Sequence, residues 1–346
     1  MAATSDPGRL RRVVVISDYA YPSGGIEHFV EEFLRAADSR YEVRLLSWTS
    51  RVRTPPGFGQ VTTIDNGDFR TAWALMDWAD VLLIPTSFNI RLLAGLVDDY
   101  LGRHPKPAVT VVHTSSHSDP TAAARTVQEE RLTSLLDRSR LVVAVSDTVA
   151  AAVSQLHTGM PSTRLIVIEN GSRLSVTARP IRTTRTRVSF IGRPFPAKGF
   201  PDFLRLARDL RGRGLQFHAN AVSVPFDPVP HEVEASSLLP DDELLEFFAR
   251  TDLLVVPYRF ADGLPMAVLE ALNCGVPIVG YDSPGVADLL RAHGQIVIPA
   301  DYGQLRRTVE DWQRGAVHPL PPPLNTVPPW TTTLDRYFAE IDALEV

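Results

Sequence analysis

The sequence predicts an α/β protein with two doubly wound domains. Two observations support this class: short, near-continuously apolar runs recur along the chain, and amphipathic helical stretches lie between several of them. Apolar runs of this kind are typical of parallel strands covered on both faces, and their alternation with helices favours a doubly wound sheet. A chain of 346 residues is long enough to form two such domains, each with its own core.

Seven apolar runs in the first half are interpreted as strands. They are VVVIS (13–17), EVRLLSW (42–48), VTTI (61–64), VLLIP (81–85), AVTVVH (108–113), LVVAVS (141–146) and LIVIEN (165–170). The clearest helix is GGIEHFVEEFLRAADSR, in which apolar residues recur at helical spacing. We therefore assign residues 1–172 to the first domain, and the polar, basic residues 172–186 to a linker.

The alternation begins again at residue 187, and we assign residues 187–325 to a second, smaller domain. RVSFIG, LQFHANAVSV, DLLVVPY and PIVGYD are interpreted as its strands, and FPDFLRLARDLRGRG, PDDELLEFFART and PMAVLEALNCG as its helices. The proline-rich PLPPPLNTVPP is expected to form neither helix nor central strand, because proline lacks an amide donor and fixes φ. Residues 326–346 contain a final helix, which we expect to pack back towards the first domain. Since ligands of such sheets bind beyond the carboxyl ends of the strands, we expect the site in a cleft that the two domains face.

The composition excludes several classes of protein. A net charge of −5 and an isoelectric point near 6.0 argue against binding of nucleic acid. The single cysteine, Cys274, cannot form an internal disulfide or a zinc cluster. We find no secretory signal and no run near the ~20 apolar residues of a membrane span, so we expect a soluble, cytoplasmic protein.

Residues 252–279 contain the strongest candidate for a binding site. An apolar strand leads through a loop with Asp262 and Gly263 into a helix that starts at Pro265 and ends before Gly275. The unpaired amides and the dipole of a helix N-terminus favour an anion. Glu270 lies inside this otherwise apolar helix, where a carboxylate is costly without a partner. Either the two hydroxyls of a ribose or a neighbouring arginine would satisfy it.

The loop in FIGRPFPAKGF (190–200) supplies two cations, Arg193 and Lys198. Facing a helix N-terminus, they would suit a leaving diphosphate, because they offset the charge that develops as the sugar–phosphate bond breaks. The alternative is two solvated surface cations. Lysine occurs only as Lys106 and Lys198, whereas arginine supplies the other 33 basic residues. In so arginine-rich a chain, the use of lysine at position 198 favours a functional role for Lys198 over a solvated surface cation. Lys106 lies in the turn-like HPKP and needs no functional role.

These motifs resemble the family-four glycosyltransferases of the GT-B fold. That family has a Gly-Arg loop with a lysine five residues after the arginine, then two acidic residues separated by seven others, here Arg193, Lys198, Asp262 and Glu270. The resemblance covers nearly the whole chain. YPSGGIEHFVEEF is similar to the family's glycine pair, VTVVHTSSHSD to its histidine-bearing strand end, VVAVSDTVAAAV to its serine-bearing segment and VIENG to its Asn-Gly hinge. It implies two Rossmann-like domains, the first binding an acceptor and the second a nucleotide sugar.

The resemblance also implies roles for individual residues. Arg193 and Lys198 would hold the donor diphosphate, Asp262 would contact the donor sugar and its phosphate, and Glu270 would bind the ribose hydroxyls. His113 would lie near the reacting sugar and completes a catalytic set with Asp262, Arg193 and Lys198. The implied donor-binding set is Gly24, Gly25, Arg193, Lys198, Gly263, Leu264, Met266, Ala267 and Glu270. His117 and Asp18 are further candidates, whereas Glu27 is interpreted as a carboxylate at a helix N-terminus.

The reaction implied by the resemblance is transfer of a hexose from a UDP- or GDP-sugar to a hydroxyl, with retention of anomeric configuration. No metal and no other cofactor is expected, because the cations stabilise the leaving group. Two departures from the family pattern concern the donor. Asp262 stands where the family usually has glutamate, and ANAVSVPFDPVP replaces a Gly-rich turn near the base. Leu238 and Leu239 are candidates to flank the base.

Other functions stay open at the level of sequence. Phosphorolysis and sugar-nucleotide epimerisation occur on the same fold, but neither lysine has the context of a Schiff base with pyridoxal phosphate. A catalytically degenerate partner or binding subunit is the non-enzyme alternative. Residues 88–107 could form a membrane-resting helix, although a surface helix and a soluble acceptor are favoured. The arginine bias suggests a GC-rich bacterial genome, where such enzymes build natural products or envelope glycans.

Overall fold

The computed structural model describes residues 9–17, 24–37, 39–48, 61–64, 68–88, 92–115, 122–156, 163–176, 186–221, 231–237 and 239–345. The chain forms two compact units. Unit 1 contains Met1–Glu169 and Thr333–Val346, and unit 2 contains Asn170–Thr332. Each unit has one parallel sheet with helices, which confirms the prediction of two doubly wound, Rossmann-like α/β domains.

Unit 1 is built on a seven-stranded parallel sheet, counted over the described residues. Its strands are β1 (Arg11–Ile16), β2 (Tyr41–Trp48), β3 (Val61–Ile64), β4 (Val81–Thr86), β5 (Ala108–Val112), β6 (Leu141–Ala144) and β7 (Arg164–Val167). Its helices are α1 (Gly25–Ala37), α2 (Phe69–Trp78), α3 (Leu92–Arg103), α4 (Ala122–Asp137) and α5 (Asp147–Leu156). The strand order is β3-β2-β1-β4-β5-β6-β7, so the chain reverses direction across the sheet between β1 and β4. The central strands are buried on both faces, as their continuous apolar runs predict.

Unit 2 has a six-stranded parallel sheet within the described residues. Its strands are β8 (Thr186–Gly192), β9 (Leu215–Ala221), β10 (Val233–Ser236), β11 (Leu253–Val256), β12 (Ile278–Tyr281) and β13 (Ile296–Ile298). Its helices are α6 (Phe200–Asp209), α7 (Asp241–Ala249), α8 (Met266–Asn273), α9 (Val286–Ala292) and α10 (Tyr302–Gln313). The sequence did not indicate β10 and β13, because VEAS is half polar and IVI is very short.

The order of the second sheet, β10-β9-β8-β11-β12-β13, places its reversal point between β8 and β11. These two strands pair directly, with Leu253 opposite Val188. The loops that leave their carboxyl ends therefore emerge side by side, although about sixty residues of chain separate them. In doubly wound sheets, ligands bind at this reversal point.

The last helix, α11 (Trp330–Asp342), contributes its residues from Thr333 onward to unit 1. Leu334, Tyr337, Phe338 and Ile341 are buried at helical spacing. The Tyr337 ring lies 5.0 Å from that of Phe29 on α1. Residues 319–329 form neither helix nor strand, as their prolines predict. No helix in the described part of the chain is long and apolar enough to cross a membrane.

Candidate functional site

The two loops at the reversal point of the second sheet bring Lys198 and Asp262 together. Lys198 ends a short 3-10 turn (Pro196–Lys198) after β8, and Asp262 lies in the loop between β11 and α8. The Lys198 Nζ lies 2.5 Å from Asp262 Oδ2. The two side chains are only 17% and 14% exposed, so this ion pair is largely shielded from water.

Two aromatic residues of the β11–α8 loop support the ammonium group of Lys198. It lies 4.0 Å from the centre of the Tyr258 ring and 4.9 Å from that of Phe260. The Tyr258 hydroxyl donates to the carbonyl of Ile191 on β8 at 3.1 Å, which ties the two loops together. Burial alone would lower the pKa of Lys198, but the charge of Asp262, the hydrogen bond to it and the nearby Tyr258 together outweigh burial, so the pKa is raised. Lys198 is therefore a fixed cation at neutral pH.

Arg193 lies in the same loop as Lys198 and is partly buried. Its charge acts on Lys198, whose pKa it lowers, so the two cations are near one another. Arg193 has no ion-pair partner among the described residues. Phe195 lies between these two residues in the sequence, and its side chain is 49% exposed. The loop thus presents one cation neutralised by Asp262 and a second whose guanidinium is available.

Two glycines at positive φ allow the loops to approach so closely. At Gly199 (φ 68°) an added Cβ would lie 1.9 Å from the carbonyl oxygen of Pro257. The Lys198 turn and the β11–α8 loop are therefore in direct contact at this glycine. At Gly285 (φ 81°), just before α9, an added Cβ would lie 1.9 Å from the carbonyl oxygen of Asp262. Only glycine fits such positions without displacing the backbone. The sequence analysis missed Gly285 and the aromatic support, although SPG before a helix is a recognisable signal of a tight turn.

The N-terminus of α8 follows directly after Asp262 and Gly263. The helix begins at Met266, one residue later than predicted, and Pro265 is its N-cap residue, whose carbonyl accepts the first bond from Val268 N at 2.9 Å. The amides of Met266 and Ala267 precede this first bond, so they are first-turn donors without a partner inside the helix. Leu264 and Met266 are buried and Ala267 is partly buried. The structure therefore brings Gly263, Leu264, Met266 and Ala267 to the same loop as the ion pair.

Glu270 lies one turn further along α8 and is 3% exposed. Its Oε1 is 3.5 Å from Nη2 of Arg173. Arg173 is therefore the neighbouring arginine that the sequence left open as a partner of this carboxylate. Arg173 also lies 3.2 Å from Asp241. Burial raises the pKa of Glu270 to about 7, because it disfavours the charged form more than Arg173 stabilises it. Sequence reasoning missed Arg173, since it belongs to a stretch that was assigned to the linker.

In unit 1, His113 directly follows β5 and is 6% exposed. Neither ring nitrogen has a hydrogen-bond partner in the described part of the chain, and the Phe29 ring packs against it at 5.2 Å. Burial lowers the pKa of His113 to about 3, so the imidazole is neutral at physiological pH. It is a buried polar side chain with unused hydrogen-bonding capacity.

Three further predicted residues of unit 1, Gly24, Gly25 and Glu27, lie at the start of α1. Gly25 begins the helix, and the carbonyl of Gly24 accepts its first bond from His28 N at 3.1 Å. Glu27 lies in the first turn of α1, which agrees with its interpretation as a helix N-terminal carboxylate. Asp18, His117 and Leu238 lie outside the described residues, whereas Leu239 packs against the core of unit 2.

Solved structures with the same architecture are GT-B glycosyltransferases, which defines the class of the fold. Sucrose-phosphate synthase from Thermosynechococcus elongatus superposes with a TM-score of 0.74 at 13% identity, covering 96% of this chain and 99% of that one. HepE (Alr3699) of Anabaena, solved in complex with UDP and glucose, gives 0.74 at 15% identity, with the same coverage of 96% and 99%. An α,α-trehalose-phosphate synthase (UDP-forming) from Burkholderia vietnamiensis gives 0.63 at 12%, covering 96% and 100%. At these identities the likeness shows the fold.

Family models identify the chain itself. The model described as Glycosyltransferase Family 4 matches residues 23–175, and that described as Glycosyl transferases group 1 matches residues 229–318. Together they span more than half of the chain and match parts of both units. The protein belongs to the GT4-like glycosyltransferases of the GT-B fold. No curated protein matched the chain by sequence.

Proposed function

We propose that the protein is a retaining hexosyltransferase that uses a nucleotide diphosphate sugar, a UDP- or GDP-sugar, and a hydroxyl acceptor. The observation that carries this proposal is the arrangement in unit 2 of Lys198, Arg193 and the N-terminus of α8, with the buried Glu270 one turn along the same helix. It combines a cationic site for a diphosphate with a carboxylate for a diol. The complexes of HepE with UDP and with UDP-glucose support a nucleotide-sugar donor on this fold.

The proposed chemistry is departure of the nucleoside diphosphate, assisted by charge. Arg193 can form paired hydrogen bonds to phosphate oxygens, whereas Lys198 acts as a point charge. Lys198 would exchange its carboxylate partner Asp262 for the diphosphate, and the amides of Met266 and Ala267 would add donors. Because these groups are fixed before the reaction, they stabilise the developing charge without reorganisation. No metal or other cofactor is needed in this scheme.

Retention would follow from attack of the acceptor on the face that the diphosphate leaves. Asp262, released from Lys198, would then contact the donor sugar. This carboxylate is one methylene shorter than the glutamate usual at its position, and the loop that carries it is supported by Gly285. We assign acceptor recognition to unit 1, with the neutral His113 as a candidate contact. We place the enzyme in a bacterial cytoplasm, acting on a small soluble precursor of a natural product or envelope glycan.

Calorimetry with UDP, GDP, dTDP and ADP tests the proposal, with and without a chelator. We expect selective binding of one nucleotide that is unchanged by the chelator. The matching sugar nucleotides are then compared for acceptor-dependent turnover, and proton NMR of the product gives the anomeric configuration. Binding of none of the four by folded protein would favour a degenerate partner subunit, and an inverted product would contradict retention.

A further inference from the structure

Arg173 contacts two carboxylates from different helices of unit 2. Its Nη2 lies 3.5 Å from Glu270 Oε1 on α8, and its Nη1 lies 3.2 Å from Asp241 Oδ1 at the start of α7. The arginine side chain is 15% exposed, and those of Glu270 and Asp241 are 5% and 55% exposed. The guanidinium thus connects a buried carboxylate with one at the surface.

The backbone that carries Arg173 is fixed by α8 itself. Asn273 lies three residues after Glu270 on the same face of the helix, and its Nδ2 donates to the carbonyl of Leu174 at 2.8 Å. Its Oδ1 accepts from Val327 N at 2.7 Å, so this buried amide is satisfied on both sides. Leu174 itself is buried. One helix face therefore holds both Glu270 and the segment that supplies its cation.

Glu270 changes between its protonated and ionised forms near neutral pH. Burial raises its pKa to about 7, Asp241 adds repulsion, and Arg173 opposes both. Cys274, the other titratable group near it, stays a neutral thiol, because burial and Glu270 raise its pKa to about 12. An ionised carboxylate is an acceptor at both oxygens and can take a donor on each, whereas a protonated one carries an O–H donor on one of them. Arg173 contacts Oε1, and Oε2 has no hydrogen-bond partner among the described residues.

We infer that Arg173 is a positioning residue for donor binding: held between Glu270 and Asp241, it keeps Glu270 ionised and occupies one of its oxygens, leaving the other for a ribose hydroxyl. The inference rests on the proposed function in one respect, the identity of the ligand. The effect of Arg173 on Glu270 is a property of the protein without ligand. The two can therefore fail separately.

The first experiment measures the protonation of Glu270 in the ligand-free protein. The infrared band of its protonated carboxyl is isolated by subtracting the spectrum of Glu270→Gln and is followed against pH. Arg173→Met should raise the midpoint by at least about one pH unit, a tenfold change in proton affinity. Arg173→Lys, which retains the positive charge, should keep the midpoint close to the wild-type value. An unchanged midpoint in Arg173→Met would overturn the inference.

Two variants separate this effect from a general disturbance of the fold. Asp241→Asn removes the repelling carboxylate and should lower the midpoint, opposite to Arg173→Met. If Arg173→Met does not fold, Arg173→Gln, which removes the charge but keeps a polar side chain, should raise the midpoint in its place, and an unchanged midpoint there would overturn the inference. Arg187→Met is the matched control, since Arg187 is equally buried (14% exposed) and pairs with Glu234 elsewhere in unit 2. It should leave the midpoint unchanged.

The second experiment measures the affinity for UDP-glucose by calorimetry as a function of pH. Its phosphates are diesters with no proton that titrates between about pH 6 and pH 9, so the profile reports on the protein. Wild-type affinity should rise through about pH 7 as Glu270 ionises, and Arg173→Met should move this rise to higher pH. A weakened Arg173→Met with the wild-type midpoint would show a merely structural role and overturn the inference. If wild-type protein does not bind, UDP-glucose fails as the proposed donor, while the infrared result still decides the role of Arg173.

Discussion

The only two lysines of the chain are used in opposite ways. Lys106, in unit 1, donates to the carbonyls of Met76, Asp77 and Ala79 at 2.7, 2.9 and 2.5 Å, where α2 ends. Burial lowers its pKa despite nearby acidic groups. Lys198, in unit 2, contacts the carboxylate of Asp262 and two aromatic rings, and its pKa is raised.

The difference between them lies in their partners. The partners of Lys106 are backbone carbonyls that a helix end leaves unsatisfied, so its ammonium serves as a helix cap. The partner of Lys198 is a single side chain on a loop at the reversal point of a sheet, where it can exchange for a ligand. In this arginine-rich chain, a lysine marks a position that uses a compact cation with several donors. The groups around it decide whether its role is structural, as at Lys106, or functional, as proposed for Lys198.

The largest expected effect tests the functional side of this comparison. Lys198→Ala and Arg193→Ala should each lower kcat/KM at least ~100-fold, by analogy with loss of one preorganised donor to a developing anion. Steady-state kinetics with the matching sugar nucleotide measures this, and thermal unfolding confirms that the variants are folded. Near-normal turnover by both variants would remove Lys198 and Arg193 from the site.

The next largest effect concerns Gly285, which supports the loop that carries Asp262, the partner of Lys198. Gly285→Ala places a Cβ 1.9 Å from the carbonyl oxygen of Asp262, so the loop must move. We expect turnover to fall by roughly tenfold to a hundredfold, because small displacements of a reacting group are costly. Gly212→Ala is the control, since Gly212 has φ 74° and no atom within 4 Å of the added Cβ. Equal activity of the two variants would show that the position of the Asp262 loop does not matter.

Lys106→Met tests the structural side. Loss of the three hydrogen bonds should lower the free energy of unfolding by about 1 kcal/mol, because water replaces part of the interaction at this half-exposed helix end. Activity should be unchanged, in contrast with Lys198→Ala. Denaturant titration and turnover of the same preparation measure both quantities. A large loss of activity at unchanged stability would contradict the assignment of Lys106 as a cap.

The smallest effect sharpens the role of the Lys198 partner. Asp262→Asn removes an anion that competes with the diphosphate for Lys198, so UDP should bind a few-fold more tightly, roughly 0.5–1 kcal/mol. Turnover of the sugar donor should fall, since the carboxylate is proposed to contact the sugar. Calorimetry with UDP separates the two effects. Weaker binding of UDP would mean that Asp262 supports the diphosphate instead of competing with it.

Much of the fold could be predicted because it depends on local patterns. Continuous apolar runs marked the central strands, and β3 was predicted with its observed bounds, Val61–Ile64. Gly275 ended α8 as expected, at φ 71°. The edge strands β10 and β13 escaped prediction, because few of their residues are buried and their periodicity is weak. The linker was assigned to residues 172–186, whereas unit 2 already begins at Asn170 and includes Arg173.

The sequence by itself determined the α/β class, the two doubly wound domains and the candidate residues Arg193, Lys198, Asp262 and Glu270. Those inferences rest on apolar periodicity and on motif spacing, which the chain carries locally. Only the tertiary structure decided the partners: Asp262 for Lys198, Arg173 for Glu270, and the α2 carbonyls for Lys106. Such pairs depend on which strands lie side by side, and parallel pairing joins residues far apart in the chain. Burial, and with it the pKa of Glu270, is fixed at the same step.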